Sequence, residues 1–447
     1  MTAIDAPAAA GRALALELYD AAVAAAAPGP ATARAVDALP IERGSRLWIF
    51  AFGKAARPMA AAAVTSTLRS LHSIVGGLIV APDDAPSPYP TIVSMRGDHP
   101  LPGRHSFDAS AKIAEIASGR RGSDVAIVLL SGGASSLIGA PVRAINESDF
   151  VMLQELLLGS GLDIAATNVV RKRFSRWGAG RLALALAPAT THCLAISDVA
   201  GDDLSVIGSG PCIPDGSSVA DVTNLLQRAN LFARLPAACR DYLTGVTRGT
   251  VPETPAKSHP AFAHITGRVI GNNRLALDGV ASKAEDLRLA TSIAPDRLAG
   301  EAARAGEAIA RALVSAASQG ANNACFAWGG ETTVTLAAPN GAPAMGGGGR
   351  CQELALAAAR VLHQAGADAG GIALLAAGTD GRDGATDAAG AIVDHTTWSA
   401  VADGGRDPGQ ALAAHESYKA LRAASALIPR RDTGTNVNDV VVGVIVR

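Results

Sequence analysis

Residues 376–387, AAGTDGRDGATD, follow an apolar run at 371–375 (GIALL), and their last ten positions hold three Asp, two Thr and three Gly. Glycines let the backbone turn sharply, and hard carboxylates gather a Mg²⁺ ion or a substrate hydroxyl. A loop leaving the carboxyl end of a strand is where open α/β sheets place ligands. The same residue types also form ordinary turns with Asx self-capping. Taken alone, the stretch leaves both readings open.

Other loops of this kind shift the balance. Residues 131–136 (SGGASS) lie between the clearest buried-strand pattern, 124–130 (DVAIVLL), and a helical one. Small residues there leave successive backbone N–H groups free to meet an anion, which singles out Ser131, Gly132, Gly133, Ala134 and Ser135. The loop is not of the Walker A type, because G-x-x-x-x-G-K-[ST] occurs nowhere in the chain. Lys54 follows Gly53 and a second buried run, 46–52 (RLWIFAF). At that edge a lysine meets phosphate as a point charge, or else sits exposed at a helix start.

Residues 168–181 (NVVRKRFSRWGAGR) concentrate Arg171, Lys172, Arg173, Arg176 and Arg181. Such a face grips phosphate or carboxylate, or is simply solvated. Asp198, Asp202 and Asp203 follow a strand pattern ending at Ser197, where acids suit Mg²⁺ or the removal of a hydroxyl proton. Ser209-Gly210-Pro211 is a candidate second phosphate-contacting turn. In the second half, Glu331 sits in GGETT (329–333), and Arg350 is the lone charge after four glycines in GGGGRCQ (346–352). A guanidinium and free helix N–H groups there converge on one anion. Residues 433–439 (TGTNVND), with Asn436, line a site or bend the chain before a final apolar run. Two sets of anion-friendly loops with carboxylates fit phosphoryl transfer in a cleft between two domains, where catalysis is positioning and charge neutralisation.

The elements that must hold these loops alternate. Strands are expected at 46–52, 73–80, 91–95, 124–130 and 193–197, and helices at 11–27, 55–68, 106–117, 147–158 and 164–177. That alternation gives a parallel α/β sheet with right-handed crossovers. The second half alternates again, with strands at 264–270, 325–328, 371–375 and 439–446 and helices at 274–287, 300–317 and 352–364. The Pro-rich stretch near 250–256 marks a boundary, giving domains 1–255 and 256–447.

With 447 residues, 49% hydrophobic and 18% charged, the chain is globular and large enough for two or three domains. A formal net charge of −1 gives no electrostatic footprint for nucleic acid or an anionic membrane. Five scattered cysteines without C-x-x-C spacing suggest reduced thiols in a cytoplasmic protein and no zinc site. Asp5, Glu17 and Asp20 interrupt the Ala-rich start, so neither a leader nor a membrane span is expected.

Nine stretches in order carry a family resemblance: FGKAA (52–56), GDHPLPG (97–103), LLSGGASSL (129–137), NVVRKRFS (168–175), ISDVAGDDLSVIGSGPCIPD (196–215), GGETTVTL (329–336), GGRCQELALA (348–357), AAGTDGRDGATDAAGA (376–391) and TGTNVNDV (433–440). The chain resembles the glycerate 2-kinases that have an N-terminal Rossmann-like parallel α/β/α domain and a C-terminal α/β domain of the MOFRL type. The resemblance implies phosphorylation of D-glycerate to 2-phosphoglycerate with ATP and Mg²⁺, in a cleft between the domains. It implies Lys54, Asp198 and Arg350 as catalytic candidates. Ser131–Ser135, Arg171, Ser209, Gly210, Glu331, Thr379 and Asn436 would contact substrate or nucleotide, and Asp380 and Asp383 would serve the metal. No nucleic-acid or membrane partner is expected, and a homodimer is compatible with it.

Three departures stand out. Cys351 replaces an amide side chain, Gly178 and Ala179 replace a lysine and a glycine, and Arg431-Asp432 precede the T-G-T-N where a proline is often found. Two rival readings remain at this point. A nicotinamide-dependent hydroxypyruvate reductase, a label relatives also carry, would need G-x-G-x-x-G/A straight after a strand. The nearest match, residues 178–183 (GAGRLA), follows a helix pattern. A non-catalytic nucleotide- or metabolite-binding relative would bind without product.

Overall fold

In the computed structural model, residues 6–336 and 347–446 are described, so Gly346 of the four-glycine run lies outside them. The chain forms two compact units, Pro28–Ile270 and the combination of Met1–Ala27 with Gly271–Arg447. We refer to them as the inserted unit and the terminal unit.

The inserted unit is built on strands β1 (Arg46–Phe52), β2 (Ser73–Ala81), β3 (Ile92–Arg96), β4 (Asp124–Leu130) and β5 (Thr190–Ile196), with β6 (Ile265–Gly271) at one edge. Their order is β3-β2-β1-β4-β5-β6, and β3 through β5 are parallel. Six of the seven residues of β4 are buried, as a strand covered on both faces requires. The strand order departs from β1 in both directions, so the β1/β4 junction is a topological switch point. The helices Glu147–Leu158, Ile164–Phe174, Val219–Arg228 and Ala237–Thr247 pack a core of their own around Phe150, Leu153, Phe174, Leu226 and Leu243.

The terminal unit has a mixed sheet of β7 (Ala290–Ile293), β8 (Ala324–Gly330), β9 (Ile372–Gly378), β10 (Ala388–Asp394), β11 (Leu427–Pro429) and β12 (Asp439–Ile445), in the order β11-β10-β9-β12-β8-β7. β12 runs antiparallel to both β8 and β9 and is buried throughout. Helices cover both faces. A Cβ on Gly11, in the helix Ala6–Ala25, would lie 3.2 Å from Ala373 Cβ on β9 and 3.7 Å from Val444 on β12. One residue along β12, a Cβ on Gly443 would meet Leu313 of the helix Ala302–Ser318 at 2.6 Å. Successive residues thus face opposite layers, the two-residue period of a strand. Among the described residues no helix is long and apolar enough to cross a membrane.

The boundary differs from the one read at 255/256. The helix Ala6–Ala25 packs in the terminal unit, through Tyr19 Oη donating to Gly378 O at 2.6 Å and the Lys283–Glu17 ion pair at 2.8 Å. The Pro-rich stretch is no linker. Its Glu253 and Thr254 engage the fully buried Arg173, so it is sewn into the inserted unit. The strands β7, β10 and β11 had no counterpart in the sequence reading.

Candidate active site

In the inserted unit the candidate residues gather at the carboxyl ends of β1, β4 and β5. Gly53 ends β1 with φ of +126°, and a Cβ there would lie 2.2 Å from Ser131 Oγ. That close approach locks two loops together. Ser131 Oγ accepts the Ala55 amide at 3.0 Å, and Lys54 N donates to Gly132 O at 2.9 Å. Gly133 sits in the left-handed region, with φ of +85°. Among the described residues no acceptor takes the amides of Gly132, Gly133 or Ser135. Such a run of outward amides is a nest for an anion. The exposed Lys54 stands beside it: a Cβ on Gly133 would be 3.5 Å from Lys54 Cγ and 3.0 Å from His99 Cδ2.

His99 was missed as a site residue, although its motif was legible. Burial first, and then the Lys54 charge, push its pKa below the ordinary histidine range. It is therefore a neutral neighbour of the nest at pH 7. Ser209 Oγ donates to Ser135 Oγ at 2.8 Å, which ties the turn after β5 to the nest. Residues 208–210 all have positive φ, including Ser209 at +66°. Asp198, half-buried, leaves the carboxyl end of β5 next to β4.

The basic segment is mostly structural. Lys172 pairs with Asp215, whose side chain is buried, at 2.8 Å. Burial would raise the Asp215 carboxyl, and Lys172 with Ser217 hold it below its usual range. Arg173 reaches Glu253, Thr254 and Ser217 O. Arg181 donates to the carbonyls of Arg173, Lys172, Ser175 and Gly178. Arg171 donates to Gln154 Oε1 at 2.9 Å. The expected solvated or phosphate-gripping face is thus spent largely inside the fold. Likewise, the amides of Ala179 and Gly180 go to Ser209 O and Gly210 O. Residues 178–183 therefore offer no cradle for a dinucleotide pyrophosphate.

In the terminal unit Arg350 opens the helix Arg350–Ala365. Its guanidinium makes a two-pronged contact with Asp439, through Nε at 2.5 Å and Nη2 at 2.9 Å, and reaches Glu331 through Nη1 at 2.9 Å. Burial would lower its pKa, but the hydrogen bonds and charge of Asp439, with Glu331, hold it above the ordinary range. Glu331 also accepts from Asn438 Nδ2 at 2.9 Å, and Asn438 Oδ1 accepts from Arg297 at 2.9 Å. Asn438 holds φ of +69° and its carbonyl accepts from Thr379 Oγ1 at 2.6 Å. Asn436 Oδ1 accepts the Asn438 amide at 3.3 Å. Asp439, Asn438 and Arg297 were not chosen from sequence. The first two lie in the 433–439 motif, whereas nothing local marks Arg297.

Asp383 is a correction. Its Oδ1 and Oδ2 accept the amides of Cys351 and Gln352, at 3.1 and 2.8 Å, and it is 3% exposed. It caps the helix that carries Arg350, with an amide on each oxygen and the side chain almost wholly buried, so it is not the open loop carboxylate that the sequence suggested. Asp380 remains half-buried at the surface, with Oδ1 accepting the Arg382 amide. Among the described residues no three His, Cys, Asp or Glu side chains gather as a metal site. Burial pushes the Asp383 carboxyl up to about 7. A carboxyl raised above its unfolded pKa of about 4 binds an extra proton in the folded state between those values, so stability falls as pH rises from about 4 to 7. Asp383→Asn removes this dependence. Its melting temperature relative to the parent should rise between pH 5 and pH 8, as read by thermal denaturation.

Residues 14–244 match a family model described as a domain of unknown function, DUF4147, and residues 324–439 match the MOFRL family. The chain is 33% identical over 436 residues to the D-glycerate 2-kinase of Thermotoga maritima, covering 97% of this chain and 98% of that protein. The crystal structure of a Thermotoga maritima glycerate kinase matches with a TM-score of 0.85 at 32% identity, over 97% of this chain and 99% of that one. The chain belongs to the glycerate kinase family. Another relative, named a putative hydroxypyruvate reductase of Agrobacterium vitis, is 36% identical over 426 residues, or 95% of this chain and 92% of that protein.

Two of the three departures from the glycerate kinase pattern have local explanations. Cys351 is 2% exposed, and burial, with Asp439 and Asp383 nearby, pushes its thiol well up. It is a neutral filler under Arg350. Gly178 packs on the Ser209 turn, where a Cβ would lie 3.0 Å from Ser209 O. Ala179, where the family pattern has glycine, is held at φ of +53°. A left-handed alanine costs about 1–2 kcal/mol, and glycine gives back about 0.4–1 through its freer unfolded chain. Ala179→Gly should therefore stabilise by about 0.5–1 kcal/mol, seen as a melting temperature a few degrees higher.

Proposed function

We propose that this protein transfers the γ-phosphoryl group of ATP to the 2-hydroxyl of D-glycerate, giving ADP and 2-phosphoglycerate. The observation that carries the reading is the nest of open amides at Gly132, Gly133 and Ser135 with Lys54 beside it, set at the β1/β4 switch point. A phosphoryl group needs such fixed donors and a cation while its charge spreads in the transition state. The names of the glycerate kinase relatives give the substrate.

Lys54 and the nest hold the phosphoryl oxygens. Asp198 takes the proton of the attacking hydroxyl as the new O–P bond forms and the bond to ADP breaks. Arg350, oriented by Asp439, offers its remaining N–H groups to an anionic group of either substrate, and Glu331 yields to that anion. Thr379 and Asn436 shape the Arg350 side, Ser209 and Gly210 support the nest, and Arg171, held by Gln154, meets substrate or nucleotide. Mg²⁺ would come with the phosphates of ATP, whose charge it would neutralise, and Asp380 is the surface carboxylate of the terminal unit that would serve it. The reaction belongs to a cytoplasmic enzyme.

The test is ADP release with Mg-ATP and D-glycerate, with the product's phosphate position read by NMR. Lys54→Ala should lower kcat about 100-fold while leaving the melting temperature within a degree or two, because Lys54 is exposed and makes no ion pair among the described residues. Near-normal turnover in that variant would remove Lys54 from the site. NADH oxidation with hydroxypyruvate in the absence of any ADP release would replace the kinase reading.

A further inference from the structure

We propose that the inserted unit carries a second small-molecule site, a cavity of about 450 Å³ that binds an organic anion through Arg143 and Arg176. The cavity is walled by Ala114, Ala117 and Ala185 and by the indole of Trp177, and its charged lining consists of arginines with no acid. It shares no residue with the nest. It opens at the carboxyl-terminal end of the helix Arg104–Ala117, about 15–20 Å along that helix from the end near His99.

The arginines are not equivalent. Arg181 is spent on backbone carbonyls and Tyr242. Arg143 and Arg176 form neither an ion pair nor a side-chain hydrogen bond among the described residues. They are brought together by the pairing of Pro141 with Ser175, in which Arg176 N donates to Ala140 O at 2.8 Å and Val142 N to Phe174 O at 3.0 Å. Burial and then the Arg143 charge push the Arg176 pKa down. Arg176 also lies 5.1 Å over the Trp177 ring, which is pinned by Trp177 Nε1 donating to Ser110 Oγ at 2.7 Å. Two like charges held at one apolar cavity without an acid lack their counter-charge. Guanidinium groups supply it best to phosphate or carboxylate, and the alanine and indole wall takes an apolar body. The occupant is therefore a small organic phosphate or polycarboxylate, and the site acts as an effector site, independent of the reaction proposed above.

Isothermal titration calorimetry on the full chain tests this with phosphoenolpyruvate, citrate and inorganic phosphate as probes. Titrations are run in the Lys54→Ala protein, so that the nest does not contribute, and again with Arg143→Ala or Arg176→Ala added. Saturable binding of phosphoenolpyruvate or citrate, weakened at least tenfold by either added change, is expected. Which of the two binds separates the phosphate from the carboxylate source. Arg143 is exposed, so Arg143→Ala alone should fold and leave basal turnover within twofold. No saturable binding of either organic probe overturns the proposal, as does binding unchanged by both arginine substitutions. Inorganic phosphate binding as tightly as the organic probes overturns the organic-anion assignment.

Discussion

Arg350→Ala is expected to lower kcat/KM for ATP-dependent phosphorylation of D-glycerate by three orders of magnitude or more. Arginines that meet transferring phosphoryl groups contribute about 10³–10⁵ in rate. The substitution also strands Asp439, whose side chain is 3% exposed and loses both guanidinium contacts. Breaking a fully buried pair costs about 3–5 kcal/mol. Arg350 is 35% exposed, so about 2–3 is expected. The two effects separate in Arg350→Lys. An ammonium satisfies the Asp439 charge but cannot make the two-pronged contact and reach an anion as well. Its melting temperature should recover most of the loss while kcat stays depressed at least 100-fold. Full recovery of both would make Arg350 a structural residue.

Gly53→Val should cost at least 100-fold in kcat for a different reason. The residue has φ of +126°, and a Cβ there meets Ser131 Oγ at 2.2 Å and Ser131 O at 2.6 Å. The β1 and β4 loops must part, which breaks the Ser131–Ala55 and Lys54–Gly132 bonds and moves Lys54 from the nest. A displacement of about 1 Å is enough for a hundredfold loss. Gly44→Val is the control, because Gly44 has φ of +83° with nothing within 4 Å of its would-be Cβ. It carries the backbone strain without the collision, so it should lower the melting temperature and spare kcat. Equal losses of kcat in both variants would discard the argument from loop locking.

Much of this was legible where one physical signal dominates. The buried runs at 46–52 and 124–130 were read to the residue, because each is an unbroken apolar run that starts after one charged residue and stops at a small residue, Gly53 or Ser131. The strand Ala388–Asp394 was not. Its small residues AAGA follow a Gly-Asp turn and carry no alternation. The loop at 131–135 was singled out because small residues after a strand leave backbone amides uncovered, as those of Gly132, Gly133 and Ser135 are among the described residues. Lys172 and Arg173 misled, because the acids that bury them, Asp215 and Glu253, are about 40 and 80 residues away in the chain. Asp383 misled for the converse reason. Its acid-and-glycine surroundings match those of a metal loop, and only the arrival of the helix Arg350–Ala365 makes it a cap. The placement of the helix Ala6–Ala25 left no local trace at all.

That helix also sets an order of events during synthesis. It is made before the rest of its unit, and the strands it lies on, β9 and β12, end at Gly378 and Ile445. At about 5–20 residues per second, roughly 20–80 s pass before its seat is complete. Residues 28–270 hold their whole sheet apart from its last glycine and can fold on the ribosome in the meantime. β12 is the central strand of the other sheet, so a nascent chain stopped short of Asp439 presents β8 and β9 as two unzipped edges. Termination between β9 and β12 would therefore release one finished unit joined to one aggregation-prone half-sheet.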